Sequence, residues 1–436
     1  MYTIFETFVG AGGAHIGFKQ EGFVSKYVND INDKCIETLL YNNPEIRETA
    51  MVDLRSIIDI DPNEMLEKTG MSQGEADVFF GGIVCKGFSM AGERCPNDER
   101  NYFYHKQLEI IDKIKPKISI IENVPGLINA EVLSQDTPIE IRNEIDELWK
   151  ELENYKGKKA HLRKIGGITK EFEDEGKILR NKKEALLKDI KREGYLISVI
   201  DDIKNIYSQM GYDVYHRVLN SAWYGSATKR ERIIIVAVRT DVGIPFEFPK
   251  PTHMDETIEK GSKDLVDREN DNLLKPKTIF DAFEEIDYSD DKDIDNLPMK
   301  HNPKTVERFK YIPAGDSIAN HIDKLPDDLK ISKFYSRGST MRLDGNKCSP
   351  TLVPGHSNFP VHPVEHRSIT VREAAAITGF PIDYKFFGSH SKRCEHVGNA
   401  VPPALARALA QSSKKLLDEY YNRLDSLNEV AITRED

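Results

Sequence analysis

Short apolar runs alternate with helical patterns through residues 1 to about 128, and this alternation constrains the fold more than any other feature. Tyr2–Phe8, Val24–Asn29, Asp77–Phe80 and Ile118–Ile121 read as strands; Ala14–Glu21, Ile31–Asn42 and His105–Ile114 read as helices. Parallel neighbours need long crossovers, so this order predicts an α/β domain with a largely parallel sheet. The pattern resumes over 197–240, where Ile203–Met210 is helical and Gly211 ends it. Tyr212–Leu219 and Ile233–Val238 follow as strands. The near-continuous Ile and Val of the second predict burial on both faces. Ile369–Phe380 and Pro403–Tyr421 read as helices again.

Two stretches depart from this pattern. Over residues 131–196, charges of both signs interleave with Ile141, Ile145, Leu148, Leu152, Leu179, Leu186, Leu187 and Ile190 at helical spacing, and Gly166-Gly167 breaks the run. That predicts a solvated helical hairpin inserted into the domain. Residues 241–367 are punctuated by Pro245, Pro249, Pro251, Pro276, Pro298, Pro303, Pro313 and Pro326, and read as a second, loop-rich unit. The expected organisation is a first domain over 1–240 carrying the 131–196 insertion, a second over 241–367, and a returning segment over 368–436.

With 436 residues, 39% hydrophobic and 31% charged, the chain can bury a large core and a smaller one. No apolar run approaches the roughly 20 residues needed to cross a bilayer, and the start lacks a signal peptide's basic and apolar segments. A cytoplasmic protein with no membrane partner is expected. The five cysteines contain no Cys-x-x-Cys pair, so neither a disulfide framework nor a metal site is expected. The net charge of −11 argues against indiscriminate nucleic-acid binding. Any contact with DNA must come from a local basic patch and weaken as salt rises.

The chemistry-bearing residues lie where strands end. Phe8-Val9-Gly10-Ala11-Gly12-Gly13 follows the first strand and opens a helix, where glycines let a ligand approach the backbone. Asp30, near the end of the second strand, suits ribose hydroxyls; Asp53 and Leu54 follow in another loop. Taken singly, each acid reads equally as a cap or solvated turn. The strand Asp77–Phe80 runs through Gly81 and Gly82 to Cys85-Lys86-Gly87-Phe88-Ser89. A cysteine there is more often a small core residue, but a neighbouring cation and glycines favour the thiolate. Glu122-Asn123-Val124 closes the next strand. Arg230-Glu231-Arg232 precedes the buried Ile233–Val238 run, and alternation predicts both arginines on one face.

Taken in order, Phe8–Gly13, Asp30, Asp53, Gly81–Ser89, Glu122-Asn123-Val124, Arg230-Glu231-Arg232, Thr370–Pro381 and Val397-Gly398-Asn399-Ala400-Val401-Pro402 resemble the cytosine-5 DNA methyltransferase family of bacterial or phage type. The resemblance implies a Rossmann-like S-adenosylmethionine-dependent methyltransferase domain with a smaller loop-rich target-recognition domain over 241–367. It implies a cofactor held by Phe8, Gly10, Gly12, Gly13, Leu54, Gly82, Asn399 and Ala400, with Asp30 on the ribose and Asp53 on the adenine amine. It implies that Cys85 attacks carbon 6 of a flipped-out cytosine, that Glu122 holds ring nitrogen 3, that Arg232 holds the base's carbonyl oxygen, and that Arg230 supports Glu122 or a phosphate. Lys86, Ser89, Asn123, Val124 and Arg337 are the expected substrate contacts. The implied partners are double-stranded DNA and a companion restriction endonuclease, with the enzyme a monomer.

The chain departs from the family pattern at several points. Val84-Cys85-Lys86 stands for Pro-Cys-Gln, Ala227-Thr228 for Pro-Gln, Asp30 for the usual Glu, and His396 for the Gln before Val-Gly-Asn. Neutral drift is the first explanation. A second is altered chemistry, with Lys86 pairing the carboxylate of a carboxy-modified S-adenosylmethionine to yield 5-carboxymethylcytosine. The same motifs are also compatible with a noncatalytic DNA-binding protein or a tRNA cytosine methyltransferase.

Overall fold

The computed structural model describes residues 1–82, 95–97, 103–266, 272–290, 292–331, 340–355 and 358–432. The first half comprises β1 (Thr3–Thr7), α1 (Gly13–Gln20), β2 (Val24–Asn29), α2 (Asp33–Asn42), α3 (Ile46–Thr49), β3 (Met51–Asp53), α4 (Pro62–Thr69), β4 (Val78–Gly82), α5 (Phe103–Ile114) and β5 (Ile118–Asn123). Next come β6 (Glu131–Leu133), α6 (Ile139–Ile165), α7 (Lys170–Arg192), β7 (Leu196–Ser198), α8 (Val199–Gln209), β8 (Tyr212–Asn220), β9 (Thr228–Lys229) and β10 (Glu231–Arg239). The rest contains α9 (Ile279–Phe283), α10 (Pro303–Phe309), β11 (Ser349–Pro350), α11 (Val371–Thr378), α12 (His390–Asn399) and α13 (Pro403–Ile432).

Seven strands form one sheet in the order β3-β2-β1-β4-β5-β10-β8. The first five are parallel, and β10 runs antiparallel to both β5 and β8. The chain builds outward from β1 to β3, then returns to lay β4 and β5 on the other side. The order therefore reverses between β1 and β4, and the carboxyl ends of these strands open the crevice in which such sheets bind ligands.

Both faces of the sheet are covered. Ile4, Val78, Phe80, Ile234 and Val236 point into one apolar core, and Phe5, Phe79, Ile233 and Ile235 into another on the opposite face. This alternation is why β10 reads as an unbroken apolar run. The predicted hairpin is present as α6 and α7, rooted by the short antiparallel ladder of β6 with β7 and carrying its own core around Ile145, Trp149 and Leu152. Residues 241–367 are mostly irregular, as their prolines imply, with short helices and turns around cores that include Phe309, Ile312 and Val361. No helix among the described residues is long and apolar enough to cross a membrane.

Several elements had no clear sequence signal, among them β3, α4 and α12. The first is three residues long. The periodicity of α12 is obscured by charged residues, and its formation rests on a Ser389 side-chain cap and burial of Cys394 and Val397.

The two chain ends are locked together by backbone proximity. α1 lies against α13 so closely that a Cβ on Gly17 would sit 2.4 Å from the Arg407 backbone nitrogen. On an open helix, Gly→Ala gains about 1 kcal/mol. Here we predict the opposite sign: Gly17→Ala should destabilise the fold by about 1–3 kcal/mol through overpacking, read by chemical denaturation. An equal or raised stability would refute this close packing.

Candidate active site

The loop after β1 is held in a demanding conformation. Phe8 (φ 52°), Gly10 (φ 56°) and Gly12 (φ 91°) all have positive φ; for a residue as bulky as Phe8 this is strained and must be imposed by its surroundings. The glycines serve different ends. A Cβ on Gly13 would fall 2.2 Å from the Val401 carbonyl oxygen, and one on Gly12 would meet Leu39 and Tyr384 at 2.7 Å. A Cβ on Gly10 would meet nothing within 4 Å. Gly12 and Gly13 thus exist for packing, while Gly10 faces open space.

Around that space stand the ends of β2 and β3. Asp30 accepts the Gly10 and Asn32 backbone N–H groups at 2.9 Å each, one on each carboxylate oxygen. Burial pushes its carboxyl up, and the two N–H donors offset part of this. Asp53 is buried and crowded: it accepts from Tyr27 Oη at 2.9 Å, from the Arg55 backbone N–H at 2.9 Å and from the Arg55 guanidinium at 2.7 Å. Burial alone would raise its carboxyl, but these donors win and hold it below its ordinary range. Leu54 is 47% exposed, and Ile31, which sequence reasoning did not single out, is 70% exposed. Two bare aliphatic side chains at adjacent strand ends offer walls for a flat apolar group. An acid, open backbone and apolar walls together fit the ribose and adenine of S-adenosylmethionine.

Across the switch point lies the second constellation. β5 and β10 pair so that Glu122 lies opposite Ile234. Arg232 Nε donates to Glu122 Oε1 at 2.7 Å, and both side chains are nearly buried. A Cβ on Gly82 would sit 3.4 Å from Glu122 Oε2, so the strand that leads to Cys85 runs directly beside this carboxylate. Asn123 Oδ1 accepts the Val124 backbone N–H at 2.8 Å, which shapes the turn after β5. Cys85, Lys86, Ser89 and Arg337, together with Val84, lie outside the described residues. Burial pushes the thiol of Cys348 up to about 11 and that of Cys394 up to about 12, which makes both poor nucleophiles. Cys35 is raised further still.

The two arginines do not share a task. Arg232 pairs with Glu122, whereas Arg230, between β9 and β10, donates to the carbonyl oxygens of Gly398 at 2.8 Å, Asn399 at 3.1 Å and Leu352 at 3.4 Å. The ladder is interrupted between them, with β9 ending at Lys229 and β10 beginning at Glu231, and the two guanidinium groups meet different partners. The Arg230 guanidinium ties Leu352 and the end of α12 to the sheet. Asn399 itself is exposed and Ala400 is buried against Gly13, so the returning segment borders the cofactor crevice.

Other contributors were invisible in sequence. Tyr384 Oη donates to the Ala11 carbonyl at 2.6 Å and props the glycine loop from 373 residues away. Thr7 and Gln107 are buried against Gly81, and among the described residues neither the Thr7 hydroxyl nor the Gln107 amide has a hydrogen-bond partner. No local pattern could have pointed to them, because each depends on a contact distant in sequence.

A parallel sheet with one reversed strand, an open glycine turn, an acid at the end of β2 and a returning C-terminal segment define the class of S-adenosylmethionine-dependent methyltransferases. Comparison narrows this. The model of the C-5 cytosine-specific DNA methylases matches residues 2–158 and 180–415. Type II methyltransferase M.Eco47II of Escherichia coli is 26% identical over 97% of this chain and 81% of its own length. M.Sau96I of Staphylococcus aureus is 27% identical over 96% and 77%. A solved prophage-encoded chain from E. coli, described as a DNA modification methyltransferase, shares the fold with a TM-score of 0.59 at 20% identity, covering 96% of this chain and all of that one. The chain belongs to the C-5 cytosine-specific DNA methylase family and is a DNA cytosine-5 methyltransferase that uses S-adenosylmethionine.

One departure from the family pattern has a measurable cost. His396 is 3% exposed, and neither ring nitrogen has a hydrogen-bond partner among the described residues. Burial lowers its pKa to about 4. The unfolded chain takes up a proton below about pH 6.5 that the native ring refuses, so this stability is present above pH 6.5 and lost as pH falls toward 4. We predict a loss of about 2 kcal/mol at pH 5 relative to pH 7.5. His396→Gln should remove it, as measured by urea denaturation at the two pH values; an unchanged acid sensitivity would exclude His396 as its source.

Proposed function

We propose that the enzyme transfers a methyl group to carbon 5 of a cytosine extruded from duplex DNA, through a covalent adduct with Cys85. The observation that carries this reading is the buried Glu122–Arg232 pair beside Gly82. A carboxyl group and a guanidinium side by side match ring nitrogen 3 and the neighbouring carbonyl oxygen of one cytosine edge. A stacked base cannot present that edge together with a ring face, so the base must leave the helix.

The chemistry follows from these groups. The Cys85 thiolate forms a bond to carbon 6, while Glu122 delivers a proton to nitrogen 3 and Arg232 holds the carbonyl oxygen. The electron pair so displaced makes carbon 5 nucleophilic. S-adenosylmethionine supplies an electrophilic methyl group on a sulfonium leaving group. A base, water in the simplest case, then takes the carbon 5 proton as the thiolate leaves carbon 6, and the nitrogen 3 proton returns to Glu122, which restores the aromatic ring and regenerates the enzyme. Asp30 would hold the ribose, Ile31 and Leu54 the faces of the adenine, and Asp53 the adenine amine through a carboxylate oriented by Arg55. Phe8, Gly10 and Asn399 complete the crevice.

Residues 241–367 are assigned to target recognition, with Arg337 as a base or phosphate contact and Ser89 and Lys86 on the substrate side. Arg230 acts as the tie that sets this unit's position against the cofactor crevice. The curated relatives are type II methyltransferases, which supports a companion restriction endonuclease.

Expression of the intact protein should yield 5-methylcytosine in digested host DNA, detected by nucleoside mass spectrometry, and Cys85→Ala should abolish it. Glu122→Gln should lower kcat by about 10²–10⁴ with S-adenosylmethionine affinity retained. A cytosine adduct heavier than methyl would replace the donor assignment by a carboxy-modified one; 5-methylcytosine persisting in Cys85→Ala would sink the covalent route.

A further inference from the structure

We propose that Arg142 and Asp146, at the start of the inserted hairpin, are positioning residues for the nucleophile: they clamp Asn97 and so fix the far end of the chain segment that carries Cys85. This rests on the covalent reading above and deepens it by giving the insertion a task in the same reaction.

β4 delivers the chain to Gly82, and Cys85 follows three residues later. Beyond Cys85 the chain reaches Cys95, Pro96 and Asn97, and the hairpin holds all three. Pro96 is buried, and its carbonyl accepts the Leu133 N–H of β6 at 3.4 Å. Cys95 packs against the hairpin's own core. Asn97 is gripped at both ends of its amide. Arg142 Nη1 donates to Asn97 Oδ1 at 2.9 Å, and Asn97 Nδ2 donates to both Asp146 carboxylate oxygens at 2.9 Å.

Arg142 and Asp146 lie four residues apart, so α6 presents them on one face. A cation against the amide oxygen and an anion against the amide nitrogen accept that side chain in one orientation only. The clamp is itself fastened. Arg142 Nη2 donates to the Ser134 carbonyl at 2.7 Å and its Nε to the Thr137 carbonyl at 3.2 Å, which ties it to the turn between β6 and α6. β6 in turn begins just after the turn Pro125–Asn129 that follows Glu122. The root of the hairpin therefore joins the chain that leaves Glu122 to the chain that leads back to Cys85. Exposed polar contacts such as that of Asp146 add little stability; what this set supplies is geometry. With one end fixed by the sheet at Gly82 and the other by α6 at Asn97, the segment has fewer conformations to give up when the thiol is set against carbon 6.

The test uses the full-length protein with tritiated S-adenosylmethionine and saturating bacterial DNA free of 5-methylcytosine. Asn97→Leu keeps the side-chain volume and removes both hydrogen bonds. It should lower kcat by about 10–100-fold, while KM and Kd for S-adenosylmethionine and the unfolding temperature stay unchanged. The double variant Asn97→Asp/Asp146→Asn keeps the contact with donor and acceptor exchanged, and its kcat should stay within about threefold of wild type. Lys177→Gln, which removes an exposed ion pair elsewhere on the hairpin, should leave kcat unaltered. An unchanged kcat in Asn97→Leu overturns the clamp and leaves the methyltransferase reading intact. So does a loss that the double variant shares, or one accompanied by weaker cofactor binding or a lower unfolding temperature, because the contact then serves the fold alone. A wild type that transfers no methyl group overturns both readings.

Discussion

The close approach of the two chain ends is the constraint on which the site depends. Gly13 meets the Val401 carbonyl and Gly17 meets the Arg407 backbone with no room for a side chain on either glycine. Tyr384 fixes the loop between them through Ala11. Interiors are close-packed and transmit small displacements, so the strained turn at Phe8 and the open face of Gly10 are held by residues nearly 400 positions away. The cofactor crevice is therefore not a property of the first βα unit alone.

The reactive edge follows the same economy. A buried carboxylate is tolerable only when paired, and Arg232 meets that need for Glu122. Arg230 uses its charge differently, satisfying carbonyls at the end of α12 and at Leu352. One guanidinium beside the chemistry and another joining three chain segments explains why two arginines so close in sequence are not interchangeable.

The departures from the family pattern divide by environment. His396 is buried, and its ring has no hydrogen-bond partner among the described residues. Asp30 reaches less far than a glutamate, but its carboxylate is held by the Gly10 and Asn32 N–H groups at the lip of the crevice. That fixed position compensates for shorter reach with orientation.

Sequence alone determined the parallel sheet, the glycine turn, the position of the Glu122 and Arg232 motifs at strand ends, and the inserted hairpin. Each is written locally, in periodicity, in turn residues or in short ordered motifs. Tertiary structure decided what those residues touch: that Arg230 binds the Gly398 and Asn399 carbonyls while Arg232 pairs with Glu122, that Arg55 restrains Asp53, that Ile31 is exposed as Leu54 is, and that Tyr384 supports Ala11. The short β3 and the charged α12 were likewise fixed by neighbours rather than by their own pattern. Side-chain partnership across hundreds of residues is set by packing and by the need to satisfy buried polar groups, and neither leaves a period or spacing in the chain to be read.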